Sequence, residues 1–377
     1  MFDFIIRQAC LSDGQLTDIA VQDGKIAEVG NISGRAVREY PLGGRFRLSA
    51  GWIDSHVHCY PSSPVYHDEP DKVGIEGGVT TVIDAGSTGA DDIGDFYQLT
   101  RSAHTNVYAL LNIARCGIAR QDELSRLSMI DRAAVKQAVR QFPEFIKGLK
   151  ARMSHSVVGE NGITPLLIAR QMQQDNDHLP LMVHVGNSPP DLCEIADLLQ
   201  QGDILTHCYN GKPNQILTPG GELKVQVQQA LQRGVRLDSG HGTASFNFTV
   251  AQTAIAQGIL PDTISSDIYC RNRLHGPVHS LAHVMSKFLN LGMTLPQVID
   301  CVTNHPARLL QLEGKGQLTV GSAADLTIFN IQTCSGPFMD SEGQTFQGKH
   351  QIVPLAAVTG GRWFITDEGR KHHVFGL

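Results

Sequence analysis

Residues 77–87, GGVTTVIDAGS, carry the pattern that decides the fold: an apolar, β-branched run from Val79 to Asp84, entered through a glycine pair and left through Gly86 and Ser87. Valine, isoleucine and threonine suit a pleated strand, and glycine and serine end one. The same design recurs at Trp52 to His56, Val107 to Ile113, Phe145 to Ala151, Pro180 to His184, Ile204 to His207, Val235 to Asp238 and Thr263 to Asp267. Between these runs lie segments with helical spacing, among them DELSRLSMIDRAAVKQAVRQF (122–142), TPLLIARQMQQD (164–175) and NFTVAQTAIAQG (247–258), most of them closing on glycine or asparagine. Eight strand–helix units predict an α/β fold, a (β/α)8 TIM barrel. A doubly wound open sheet would not ordinarily put polar residues at the ends of so many successive strands.

Outside the repeats, residues 1 to about 50 alternate apolar and polar positions around turn signals at Ser12-Asp13-Gly14 and Asp23-Gly24, which is antiparallel β patterning. The C-terminal stretch from Gly316 reads the same way. The two chain ends are therefore expected to pair into a small β-sandwich domain (1–50 and 313–377), with the barrel (51–312) inserted between them. A helix over 296–312, containing Asn304-His305-Pro306, leads from one to the other. At 377 residues the chain is long enough for both, since a barrel alone takes about 250.

With 41% hydrophobic and 18% charged residues and no long polar tract, the chain reads as globular throughout. A net charge of −6 without a basic stripe argues against nucleic acid or an anionic membrane as partner and points to a small-molecule substrate. No basic leader and no membrane-length apolar run precedes the first strand, so a cytoplasmic protein is expected; a homo-oligomer is left open. Eight scattered cysteines form no CxxC pair and suggest reduced thiols rather than a disulfide framework.

The sixteen histidines are informative by position. His56 and His58, two apart in a strand, point to one face and can grip one ion. His184 ends LMVH, His207 ends DILTH and Asp267 ends ISSD, each at the strand end where barrel enzymes keep their sites. Imidazole and carboxylate donors without thiolates suit zinc, with iron or manganese as alternatives. The run Ser154-His155-Ser156 is no nucleophilic dyad, because adjacent side chains on a strand point apart and no GxSxG turn is present.

Taken together, GWIDSHVH, GGVTTVIDAGS, LKARMS, VHVGN, THCYNG, DSGHG, SSDI and NHPARLL, with the flanking GKIAEVG and GSAADLTIF, resemble the amidohydrolase superfamily, in its dihydroorotase-like branch with the small-molecule deacetylases. The resemblance covers nearly the whole chain. It implies two divalent metal ions, zinc in the first instance, bridged by a strand 4 lysine carboxylated by CO2. FIKGLKARMS offers Lys147 and Lys150; three apart, they face opposite sides of a strand. Lys150 stands nearer the strand end, and its LKAR context resembles the family's bridging position. By the same resemblance His56, His58 and Asp267 hold one metal and His184 and His207 the other.

The chemistry implied is hydrolysis of an amide or ester. Two metals sharing a water lower its pKa towards neutrality, and Asp267 acts as general base and then general acid. The expected substrate is a small N-acyl or O-acyl carboxylate, losing its acyl group to a deacetylase; the alternatives are opening of a cyclic amide and a non-catalytic barrel module. Arg152, on the face of Lys150, could bind a substrate carboxylate. His241 of DSGHG is expected to touch substrate, with a structural hydrogen bond as the alternative, and Asn187, Tyr209, Asn210 and Arg271 follow strand ends on loops that would rim the pocket.

Overall fold

The computed structural model describes residues 1–334 and 336–371. Its strands are β1 (Phe2–Cys10), β2 (Leu16–Gln22), β3 (Lys25–Gly30), β4 (Ala36–Pro41), β5 (Arg47–Ala50), β6 (Trp52–Val57), β7 (Val79–Ala85), β8 (Asn106–Asn112), β9 (Ile146–Met153), β10 (Leu181–Val185), β11 (Ile204–Thr206), β12 (Arg236–Asp238), β13 (Leu326–Thr333), β14 (Pro337–Met339), β15 (Thr345–Gln347), β16 (His350–Thr359) and β17 (Arg362–Ile365).

β6 to β12 form one seven-stranded sheet in strict chain order, parallel at every pairing. Every residue of β6 and β7 is buried, as a parallel sheet covered on both faces requires. The segment 263–268 is not a regular strand, yet its backbone bonds both edges of this sheet. On one side the amides of Ser239, His241 and Gly242 donate to the carbonyls of Thr263, Ser265 and Ser266; on the other, the amide of Asp267 donates to His56 O and that of His58 to Ile268 O. Parallel bridges join Thr263 to Asp238 and Ile268 to Val57. The parallel sheet thus curls into a TIM-barrel-type fold, with the expected eighth strand present as bridges.

The chain ends meet in a single eight-stranded mixed sheet, ordered β17-β16-β13-β5-β1-β2-β3, with β4 also paired to β1. The sequence predicted a sandwich; the hydrogen bonding instead makes one sheet that forks at β1, whose free edge serves β4 along Phe2–Arg7 and β5 at Cys10. Phe4, Ile6, Ile19, Val21, Leu48, Leu326, Ile328 and Val358 pack into its own apolar cluster. Beyond β13, the β14–β15 hairpin leaves this sheet and pairs only with itself.

Two helices are shorter than their sequence pattern. The first barrel candidate begins at Arg132, because the Asp131 carboxylate accepts the amide of Ala134 and caps it; residues 122–131 are loop with a short 3-10 turn. The expected 296–312 helix is two, Leu295–Asp300 and Asn304–Leu309, and Pro306, which has no amide hydrogen, fits only the first turn of the second. No helix among the described residues is long and apolar enough to cross a membrane.

Candidate metal centre

β6 delivers His56, and His58 follows at its end; β9 delivers Lys150, β10 His184, and the residues just past β11 and at the close of segment 263–268 deliver His207 and Asp267. All six side chains meet at the same end of the barrel. His58 Nε2 lies 3.1 Å and His56 Nε2 3.5 Å from Asp267 Oδ1, and Lys150 Nζ is 3.0 Å from His56 Nε2. The His207 ring stands 5.2 Å from that of His56 and 4.5 Å from that of His184. Donor atoms of His56, His207 and Asp267 fall within 4.8 Å of one another, a spacing one ion can span.

Three of the histidines, His56, His58 and His207, are aimed inward by bonds on their far nitrogens. His207 Nδ1 donates to Gly240 O at 2.6 Å, which leaves Nε2 as a lone-pair donor. His56 Nδ1 is 3.0 Å from Thr206 Oγ1, which donates its own hydrogen bond to Asp238 Oδ2 at 2.6 Å; His58 Nδ1 is 2.8 Å from Ser87 Oγ. Fixing one ring nitrogen to protein and freeing the other for a cation is how metal-ligating histidines are oriented. Burial drives the pKa values of His56 and His184 well below the ordinary imidazole value and that of His207 to about 4, so these rings are neutral and available as donors at pH 7.

Lys150 is the residue that best tests whether metal belongs here. Its side chain is buried, its ammonium contacts only His56 Nε2 and, at 3.4 Å, Met182 Sδ, and among the described residues no carboxylate lies within ion-pair distance. An unmodified cation in that position is desolvated and lacks a direct ion-pair partner; burial outweighs the more distant charges of Asp267 and Asp238 and lowers its pKa to about 8. A carbamate there would turn the misfit into an anion among imidazoles, so the donor set fits divalent metal. Lys147, the other candidate, points instead towards Tyr108 and Glu144.

His207 and Asp267 are held with left-handed backbones, φ +64° and +51°, an arrangement that costs of order 1–3 kcal/mol in a non-glycine residue and clusters at functional sites. The turn that backs them is Gly240-His241-Gly242. Gly240 has φ +46°, and a methyl group on it would overlap Thr206 Oγ1 and crowd His207 Nδ1; one on Gly242 would overlap Asp267 Oδ2. Gly240→Ala is therefore expected to destabilise the chain by about 1–3 kcal/mol and to abolish turnover; an unchanged urea midpoint would refute the packing argument.

Several expected substrate contacts are corrected by the structure. Arg152 is buried, and its guanidinium is already forked onto Glu123, with Nε–Oε1 at 2.7 Å and Nη2–Oε2 at 2.6 Å, so its bidentate face is not offered to a substrate. Glu123 reaches it because residues 122–131 are loop rather than helix. His241 turns away from the site: Nδ1 donates to Gly242 O and Nε2 accepts from Lys287 Nζ at 2.8 Å. Tyr209 is buried, its hydroxyl donating to Ile259 O, and Asn210 spends its amide on His207 O and its carbonyl on the Lys212 amide. Asn187 and Arg271 are exposed after their strands.

Sequence reasoning missed the supporting carboxylates. Asp54 Oδ1 accepts the Ser266 amide at 3.0 Å and so ties β6 to segment 263–268; Asp84 takes the amides of Cys59 and Ser87; Asp238 collects the hydroxyls of Thr206, Thr263 and Ser265. The available signal was an aspartate inside an otherwise apolar strand, a position charged residues occupy only when paired. Lys212 was also missed: half-buried five residues past His207, it has its pKa lowered by burial, while the charges of Asp267 and Glu342 favour its cation.

The sequence profile of the amidohydrolase family matches residues 47–363. The chain belongs to that family. It is 47% identical over 363 residues to a deacetylase of Enterococcus faecalis, covering 96% of this chain and 98% of the relative. Among solved structures, one described as an adenine deaminase is similar with a TM-score of 0.95 and 47% identity, over 97% of this chain and all of that one. A dihydroorotase follows at a TM-score of 0.88 and 33% identity, over 96% and 98%. As a member of the amidohydrolase family, the protein is a hydrolase acting on carbon–nitrogen bonds, and its family generally uses metal ions.

Proposed function

We propose that the protein is a binuclear metal-dependent deacetylase that removes an acetyl or similar acyl group from a small N-acyl or O-acyl carboxylate. His56, His58 and Asp267 would hold one ion, His184 and His207 the other, and carboxylated Lys150 would lie between them, with zinc the metal best suited to the donors. The observation that carries the reading is Lys150, a buried lysine set among imidazoles with no carboxylate to pair with. The deacetylase relative supports the acyl leaving group, and the cation of Lys212 at the site supports a substrate carboxylate.

Bound ions would supply an activated water at neutral pH and polarise the scissile carbonyl. The chain's own residues do the rest. The Asp267 carboxylate accepts the proton of the attacking water and returns it to the departing amine or alkoxide. The backbone amide of Asp267, donated to His56 O at 2.7 Å, fixes where that carboxylate stands. Gly242 leaves room for Oδ2.

The test is a screen of N-acetyl amino acids, O-acetyl hydroxy acids, cyclic ureides, dihydroorotate and adenine against metal-loaded protein, read as kcat/KM. Efficient deacylation with a preference for the free acid over its methyl ester is expected. Hydrolysis of cyclic ureides or deamination of adenine without deacylation would overturn the substrate class.

A further inference from the structure

The hairpin β14–β15 belongs by chain position to the terminal sheet, yet it is bonded to the barrel mouth. Asp340 Oδ2 accepts the amide of Phe248, Glu342 Oε2 accepts from Asn247 Nδ2, and the Ser341 amide donates to Phe246 O. The Ser341 hydroxyl is shared between the carbonyls of His241, at 3.3 Å, and Gly242, at 3.0 Å, while accepting the Phe246 amide. Inside the hairpin, Asp340 Oδ1 takes the amides of Glu342 and Gln344. Ser341 is therefore presented by a braced turn.

Lys287 completes the hold. This buried lysine spends three donors on three acceptors: His241 Nε2 at 2.8 Å, Pro277 O at 2.9 Å and Met339 O at 2.7 Å. One ammonium thus joins the 240–242 turn, the loop after the helix Cys270–His275, and β14. On the opposite side of the same turn lie His207, whose Nδ1 bonds Gly240 O, and the Asp267 carboxylate, packed on Gly242.

We infer that Ser341, with Lys287 behind it, is a positioning residue for the reaction: the β14–β15 hairpin clamps the Gly240–Gly242 turn and so fixes Asp267 and His207. Neither residue reaches the reacting atoms. They act through the direction of two peptide carbonyls, because a turn whose carbonyls are pinned cannot rotate its Cα atoms away from the groups packed on them. A misplacement of about 1 Å at a catalytic group can cost a hundredfold in rate. The consequence for Asp267 rests on the function proposed above; the clamp itself does not.

Ser341→Ala, Ser341→Cys and Ser341→Thr in the full chain test it, with two readouts. The first is kcat and KM per folded, metal-loaded chain. Ser341→Ala is expected to lower kcat at least tenfold with KM within about threefold, Ser341→Cys to fall between, and Ser341→Thr, which keeps the hydroxyl, to restore the parent rate. The second needs no substrate: the visible absorption of the cobalt-substituted protein, which reports ligand geometry, should change in Ser341→Ala and return in Ser341→Thr. A parent-like kcat together with a parent-like cobalt spectrum in Ser341→Ala overturns the clamp, as does a lower melting temperature with kcat per folded chain unchanged. If Ser341→Ala does not fold, the same comparison in Ser341→Cys decides. A shifted cobalt spectrum in a chain that hydrolyses no acylated substrate would sink the substrate assignment and leave the positioning role standing.

Discussion

Asp267→Asn is expected to fold, to retain most of its metal and to lose about 10²–10⁴-fold in kcat, the usual contribution of a positioned acid–base group. The substitution keeps an oxygen that can face His58 and His56 but puts an amide where Oδ2 lies against Gly242. That amide cannot accept the proton of an attacking water. Metal content by atomic emission, a melting curve and steady-state kinetics on the best substrate of the screen make the measurement. Turnover within a few-fold of the parent would remove Asp267 from the proton transfer.

Lys150→Met is the second large effect. Methionine fills a similar volume beside Met182 without a donor, so metal content should drop from about two equivalents to one or fewer, and activity below detection. Stability should move the other way. Unmodified Lys150 has its pKa lowered by burial from 10.5 to about 8, so the folded chain binds fewer protons than the unfolded one between those values. The resulting penalty, about 3 kcal/mol, is present in full below pH 8 and fades as pH rises towards 10.5. Metal-free Lys150→Met should therefore melt above metal-free, unmodified parent at pH 7, and the gap should close with rising pH. Equal metal content in the two proteins would overturn the bridging role.

The lowered pKa of Lys150 also bears on the carboxylation proposed for it. At pH 7 a group with pKa near 8 has about one amine in ten unprotonated, against roughly one in three thousand for an ordinary lysine, and only the free amine reacts with CO2. The same burial that makes the ammonium unfavourable would thus favour the proposed carbamate.

What could be read directly from the sequence was the set of strands and the residues at their ends. The runs at 52–56, 79–84, 107–113 and 180–184 coincide with β6, β7, β8 and β10 to within about two residues, because apolar runs of strand length bounded by polar or turn-forming residues leave few alternatives. His56, His184, His207 and Asp267 converge for the same reason: in a parallel barrel every strand ends on one rim; Lys150 joined them only through the family resemblance, since its spacing alone does not single it out. The terminal segments were legible as β, though not as one forked sheet, since alternation does not say which strand shares an edge with which.

Periodicity thus determined by itself which residues face inward and at which end of the barrel they stand, because the strand repeat is local. What those residues meet was decided by the tertiary structure alone. Arg152 is claimed by Glu123, 29 positions away, and His241 by Lys287, 46 positions away, so two residues that read as substrate contacts are spent on the protein itself. Whether an inward side chain is free for a ligand depends on which buried partner reaches it first, and a buried cation or imidazole takes any partner that spares it desolvation. No local pattern in the sequence records that competition. It is settled only when the loop at 122–131, the hairpin at 337–347 and the strand ends are brought to the same rim.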